Sequence, residues 1–143
     1  MMDFFARAKA KHLKLGCRGE ALAVKLYRKR NCEIIARNWR NSTAHDGSGE
    51  LDIVLFDGET LVFAEVKTRR KLDNYLPGAN LAPEQKKRIL HGARSYCRIK
   101  HISNDISKRF DLVEVIYDGK HLHDIALHEN YMPFSAPEFL TQN

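Results

Sequence analysis

Two eight-residue runs, ELDIVLFD at 50–57 and TLVFAEVK at 60–67, constrain the fold more than any other feature. Both are rich in branched and aromatic apolar residues, the types that suit a pleated and largely buried surface. Between them stands Asp57-Gly58, where glycine accepts a positive φ without steric cost. The two runs therefore read as a β-hairpin. Side chains alternate across a strand, so Leu61, Phe63, Glu65 and Lys67 share one face of the second strand. A turn of two or four residues centred between Gly58 and Glu59 places Asp52 directly opposite Glu65. A register shift of two leaves them diagonal on the same face, whereas an odd-length loop separates them.

Other elements follow from periodicity. Leu22, Ala23, Leu26 and Tyr27 form an apolar stripe at helical spacing, predicting a helix from about Leu15 to Arg30 with Asn31 as its C-cap. Residues 33–40, EIIARNWR, read as a first strand, and 41–49 as a polar loop. Residues 68–82 read as a long, mobile loop that could clamp a bound strand. Pro83 suits the first turn of a second helix, whose apolar face is Ile89, Leu90, Ala93, Tyr96 and Cys97. Phe110–Tyr117 and His121–Leu127 read as strands joined at Asp118-Gly119. The order α-β-β-β-α-β-β describes one α/β domain with a mixed central sheet flanked by helices. Its expected extent is 15–130, with a basic N-terminal arm at 1–14 and a tail at 131–143.

The 143 residues suffice for a core without disulfide staples. No apolar run approaches a membrane span or a secretion signal, and a cytoplasmic protein without membrane contact is expected. Cys17, Cys32 and Cys97 are odd in number and far apart, so reduced, mostly buried thiols are expected rather than disulfides or zinc. His121 and His123 could share a strand face, but no third ligand has a telling spacing.

The net charge of +6 is unevenly spread. Residues 1–40 carry eleven Lys and Arg against three acids, and residues 67–100 carry ten against two. Between them, residues 41–66 carry six acids and no Lys or Arg. Basic surfaces attract phosphate backbones. An acidic island among them opposes anion binding unless a cation neutralises it.

The hairpin supplies the chemistry for such a cation. Carboxylates facing each other across a strand pair repel and destabilise a sheet. Placing Glu65 and Lys67 at the end of a buried strand is costly without partners. Mutual pairing of Glu65 with Lys67 would meet that cost but leave Asp52 alone. Oxygen ligands at close quarters suit Mg²⁺, with Mn²⁺ as a substitute. The expected roles are metal ligation by Asp52, Glu65 and the Val66 backbone carbonyl, with Lys67 holding a water or stabilising phosphoryl charge. Glu20 lies on the first helix at the edge of the apolar stripe. It either points at the sheet or sits solvated, helped by the helix dipole.

The segments GCRGEALA (16–23), RNWR (37–40), GELDIV (49–54), LVFAEVKTR (61–69) and RFDLVEV (109–115), taken in order, resemble the YraN family of small bacterial proteins. That family has the restriction-endonuclease-like fold. The chain is also similar to archaeal Holliday junction resolvases, which share the helix Glu, the Asp and the E-x-K. The resemblance covers about residues 12–117 and implies a phosphodiesterase site of the PD-(D/E)XK type. By position, Asp52, Glu65 and Lys67 match its Asp, acid and Lys, and Glu20 matches the first-helix Glu. Glu50 matches the family's G-E pair and is either a water-mediated metal ligand or structural. Leu51 stands where the classical motif has Pro, as in YraN relatives. Gln85 stands where relatives carry Lys, so the phosphate contact falls to Gln85 or Lys86.

A Mg²⁺-dependent nuclease is thus expected, acting on ends or branched structures and on DNA in preference to RNA. Gln85, Lys86, Lys87, Arg88, Arg69 and Arg70 are its expected backbone contacts, and such contacts position a substrate without reading sequence. A homodimer is admitted because the resolvases act as dimers. The competing readings are a non-catalytic nucleic-acid-binding module in a repair or recombination assembly, and a protein-interaction scaffold.

Overall fold

A computed structural model describes residues 4–42, 49–71 and 81–133, with side chains from Gly16 onward. The elements are α1 (Phe4–Lys29), β1 (Glu33–Arg40), β2 (Glu50–Asp57), β3 (Thr60–Arg70), α2 (Pro83–Ile99), β4 (Lys108–Asp118) and β5 (His121–Met132). The five strands form one sheet in the order β1-β2-β3-β4-β5. Neighbours are antiparallel except β3 and β4, which run parallel. A parallel pair needs a crossover, and α2 supplies it. The α-β-β-β-α-β-β order and the mixed α/β sheet are those expected from the sequence.

Both faces of the sheet are covered. On one, Ala23, Val24 and Tyr27 of α1 pack on Ile53, Leu55, Val62, Ala64, Val113 and Val115. On the other, Ile89, Ala93 and Tyr96 of α2 pack on Val54, Leu61, Phe63, Phe110 and Leu112. Strand β3 is thus buried on both faces, which is why its sequence runs apolar without alternation. Trp39 and Phe63 each meet the Tyr96 ring edge-on, at centroid distances of 5.2 and 5.9 Å.

Two glycines set how closely the helices approach. A Cβ on Gly19 of α1 would lie 2.6 Å from Thr68 Oγ1 of β3, and one on Gly92 of α2 would lie 3.2 Å from the Glu50 carbonyl. Both helices therefore ride directly over the ends of β2 and β3 that carry the acidic residues.

Three boundaries differ from those read in the sequence. Helix α1 begins at Phe4 rather than near Leu15, so most of the segment read as an arm is helical. Its Ala, Lys, Arg and Leu residues are strong helix formers, and neither Gly nor Pro interrupts them before Gly16. Strand β3 continues to Arg70, into the segment read as a loop, because Thr68, Arg69 and Arg70 keep pairing with Val115, Ile116 and Tyr117. Strand β5 continues to Met132 rather than ending at Leu127. There the register shifts between Phe110 and Leu112 of β4, and Asn130 takes a φ of 53°. The bulge re-aims the chain so that Met132, at the start of the segment read as a tail, is buried opposite Phe110. Residues 72–80 of the segment 68–82 read as a clamp, the loop centre at 43–48 and the tail from 134 onward lie outside the described residues.

Asn31 does end α1 as expected, with a φ of 62°. The cysteines are free: Cys32 is buried and Cys97 half-buried, but Cys17 is exposed. His121 and His123 are both exposed. Among the described residues, no helix is long and apolar enough to cross a membrane.

A buried polar network pins the α1 side of the sheet, on the face opposite Glu65 and Lys67. Asp111 accepts hydrogen bonds from the Tyr27 hydroxyl at 2.9 Å, from Arg109 Nε and Nη2 at 2.8 and 3.0 Å, and from the Asn130 amide at 3.0 Å. Arg109 also pairs with Asp57 at 3.0 Å. A buried carboxylate is tolerable only when so fully matched. The Tyr27 phenol is pushed far above its ordinary range by burial and then by the Asp111 charge. This network ties α1 to β4 and to the β5 bulge.

Candidate active site

The hairpin turn is Gly58-Glu59, since Asp57 pairs with Thr60, and Gly58 takes a φ of 59°. The register then runs to Ile53 opposite Ala64. One step further along, Asp52 stands against Glu65, as the two-residue turn requires. Here the ladder changes character. Asp52 Oδ2 accepts the Val66 amide hydrogen at 2.9 Å, so a side chain replaces the next main-chain bond. The hairpin therefore opens at Asp52. In a strand a residue's N–H and C=O point to the same side. The Val66 carbonyl thus faces the same opening as Asp52.

Glu65 and Lys67, neighbours on one face of β3, approach to 3.4 Å between Oε1 and Nζ. Their side chains are 17% and 23% exposed, sheltered yet reachable from solvent. The Glu65 carboxyl is pushed up to about 8, first by burial and then by the Asp52 charge, with Lys67 opposing the rise. Glu20 joins from α1. Its carboxyl is raised by burial and then by Asp52, with the Asn38 side chain and Arg37 opposing. Of the two readings of Glu20, the structure favours the one in which it points at the sheet. The Asp52 charge thus makes both Glu65 and Glu20 harder to ionise.

A cleft of about 130 Å³ collects Glu50, Asp52, Glu65, Lys67, Gln85, Arg88 and Ile89. Glu50 lines it while its Oε1 pairs with Arg40 Nε at 3.0 Å, in an exposed pair that contributes little to stability. Gln85 Oε1 accepts the Ala82 amide hydrogen at 3.2 Å across the first turn of α2. Its amide nitrogen keeps its donors for another partner. Of the α2 residues expected to touch nucleic acid, Gln85 and Arg88 reach the cleft. Lys86 instead lies over the Tyr131 ring, 5.9 Å from its centroid, and Lys87 is exposed outside the lining. Arg69 is drawn to Glu114 of β4, with Nε 3.4 Å from Oε2, and Arg70 is exposed at the end of β3.

The donor set is consistent with a small hard cation. Asp52, with one oxygen on the Val66 amide, and Glu65 supply two adjacent carboxylates, and the Val66 carbonyl adds a neutral oxygen. Among the described residues, no group of three His, Cys, Asp or Glu converges as an all-side-chain metal cage. Two carboxylates, a carbonyl and several retained waters suit Mg²⁺, which dehydrates reluctantly, better than they suit zinc.

Sequence reasoning missed Asn38, which takes a φ of 49° in β1 and bonds Glu20. An Asn among strand formers, inside the quoted RNWR, was the available signal. A larger cleft of about 190 Å³ lies at the other end of β2 around Tyr27, Arg30, Cys32, Asp57, Arg109 and Glu129. Its arginines are already matched, Arg109 to Asp57 and Asp111 and Arg30 to Glu129 at 2.8 Å. It has the chemistry of a structural tie rather than of a reaction site.

Comparison with known proteins agrees on a family. The profile of the uncharacterised protein family UPF0102 matches residues 19–115, from the glycine beside Glu20 to the end of RFDLVEV. A UPF0102 protein of Pseudarthrobacter chlorophenolicus is 40% identical over 111 residues, covering 78% of this chain and 79% of the relative. One from Chlorobium limicola is 36% identical over 105 residues, covering 73% and 77%. One from Flavobacterium johnsoniae is 34% identical over 126 residues, covering 83% and 98%. With its Asp, Glu and Lys at the hairpin mouth inside the matched span, the chain belongs to the uncharacterised protein family UPF0102.

Proposed function

We propose that the cleft is a Mg²⁺-dependent phosphodiesterase site that hydrolyses nucleic acid, DNA in preference to RNA, with Mn²⁺ able to replace Mg²⁺. The observation that carries this reading is the hairpin register. It sets Asp52 against Glu65 at the point where β2 leaves β3, and Lys67 stands 3.4 Å from Glu65. A strand pair built only for stability gains nothing from opposed carboxylates. The resemblance to the YraN family, and through it to PD-(D/E)XK nucleases, supports the same assignment.

Asp52, Glu65 and the Val66 carbonyl would hold the cation, with Glu20 and Glu50 at its margin. Bound there, Mg²⁺ supplies charge neutralisation and a Lewis acid for a phosphoryl oxygen. Lys67 supplies the positive charge that orients an attacking water or stabilises charge developing on phosphorus. Gln85 and Arg88 hold the phosphodiester from the helix side, and the bulk of α2 limits access of water. Contacts to phosphate position a substrate without reading its sequence, so selectivity among substrates rests on their shape.

Calorimetry with Mn²⁺ tests the site directly. The wild-type protein is expected to bind the ion, and Asp52→Asn to lose at least tenfold in affinity while keeping its fold. Asp52→Ala is expected to abolish cleavage of a labelled oligonucleotide. Equal Mn²⁺ affinity in wild type and Asp52→Asn would remove Asp52 from the ligand set.

A further inference from the structure

Next to the cleft stands a charged group that the reaction just described does not use. Glu114, on β4, is fully buried. It pairs in register with Lys67 across the parallel ladder and lies on the same face of the sheet. Its two oxygens face side chains from both neighbouring strands. Oε1 lies 2.7 Å from His128 Nε2 of β5, and Oε2 lies 3.4 Å from Arg69 Nε of β3. Those partners are not buried with it: the His128 side chain is 28% exposed and that of Arg69 is 30% exposed.

Stability is a poor explanation for this arrangement. Burying a carboxylate is costly, and apolar residues of similar volume often do as well or better. What the arrangement achieves is orientation. Arg69 makes its closest approach to Glu114 through Nε, at the base of the guanidinium, as a buried ion-pair contact without a hydrogen bond. A guanidinium fixed this way presents a planar fork of donors suited to phosphate oxygens. Held from its other side by His128, Glu114 cannot swing away with the arginine.

Position gives this fork a purpose. Arg69 follows Lys67 by two residues on the same face of β3. The offset along the strand is about 7 Å, comparable to the spacing of successive phosphates along an extended nucleic-acid strand. We propose that Arg69, positioned by the buried Glu114 and by His128, binds the phosphate next to the one cleaved. The cleft then recognises a strand segment of at least two phosphodiesters. Arg69 is the ligand in this subsite; Glu114 and His128 are positioning residues. The inference rests on the nuclease reading for the identity of the first phosphate, but the subsite can be measured without cleavage.

The experiment has a binding arm and a cleavage arm. In the first, wild type and the double variant Arg69→Met/Glu114→Gln are titrated with a labelled single-stranded oligonucleotide in EDTA over a range of salt. Removing both partners avoids stranding a buried charge, and circular dichroism verifies the fold. One lost phosphate contact should weaken binding and lower the slope of log affinity against log salt by about 0.7. Arg69→Lys, which keeps the charge, should restore the slope, and Lys29→Met, exposed at the C-terminal end of α1 and at the opposite end of the sheet, should match wild type. In the second arm, with Mn²⁺, the double variant should lose at least tenfold in kcat/KM on the oligonucleotide. It should keep the wild-type rate on bis(p-nitrophenyl) phosphate, which has a single phosphate. An unchanged salt slope, or equal losses on both substrates, overturns the subsite while leaving the nuclease reading intact. A wild type that cleaves neither substrate but shows the slope difference overturns the nuclease reading and keeps Arg69 as a phosphate contact.

Discussion

Replacing Glu65 with Gln should stabilise the metal-free protein at alkaline pH and abolish its response to metal. The Glu65 carboxyl is raised from 4.5 to about 8 by burial and then by Asp52. Below pH 4.5 the group is protonated in both folded and unfolded chains, and no penalty arises. Between 4.5 and 8 the unfolded chain ionises while the folded one holds its proton, so stability falls as pH rises. Above 8 the group is ionised in both states and the full penalty remains. At about 1.4 kcal/mol per tenfold in proton affinity, that penalty is at most on the order of 5 kcal/mol. Gln keeps the shape and removes the charge, but it gives up the 3.4 Å pairing with Lys67. A net gain of about 1–3 kcal/mol above pH 8 is therefore expected. In thermal melts this is about 3 °C for each kcal/mol in a chain of this size. Melts of both proteins in EDTA at pH 5.5, 7 and 8.5, repeated with Mn²⁺, measure it. Wild type should lose stability toward pH 8.5 and regain it with Mn²⁺, whereas Glu65→Gln should be flatter and indifferent to the metal. Parallel pH profiles for the two proteins would refute the claim that Glu65 is held against its charge.

Gly19→Ala should cost about 1–3 kcal/mol, because its Cβ would fall 2.6 Å from Thr68 Oγ1. It should also reduce cleavage by displacing Glu20; a variant with wild-type melting and activity would show that α1 can shift freely. Tyr27→Phe should cost about 1–3 kcal/mol by removing a hydrogen bond to the buried Asp111. Because that network lies on the face of the sheet opposite Glu65 and Lys67, Mn²⁺ affinity at a temperature where the variant is folded should not change, and a large loss would contradict the separation of the two clusters.

The parts legible in the sequence were those governed by local rules. Asp57-Gly58 and the apolar runs beside it specify a two-residue hairpin, and that register alone brings Asp52 to Glu65. Lys67 followed from alternation along one strand. Asn31 ended α1 because it can adopt a positive φ. What escaped reading depends on contacts distant in sequence. That Arg69 pairs with Glu114 was hidden because the parallel pairing that brings Glu114 beside it is set by α2, a whole crossover away. Asp111 and Glu114 sit within the quoted RFDLVEV, yet nothing local distinguishes them from solvated acids on an edge strand. The extension of β5 to Met132 depends on a bulge that lets Asn130 reach Asp111. Lys86 could not be separated from Gln85 by helical spacing alone, because its direction is set by the Tyr131 ring on β5.

The central claim is that Asp52, Glu65 and Lys67 cut phosphodiester bonds. The measurement that meets it most directly is a cleavage time course on labelled single-stranded, duplex, flap and junction substrates, with Mg²⁺ or Mn²⁺, comparing wild type with Lys67→Ala. Wild type should cut at least one substrate only when metal is present, and Lys67→Ala should lose on the order of a hundredfold or more in rate while melting as a folded protein. Cleavage by Lys67→Ala at the wild-type rate, or a wild type that cuts none of the substrates with either metal, would contradict it.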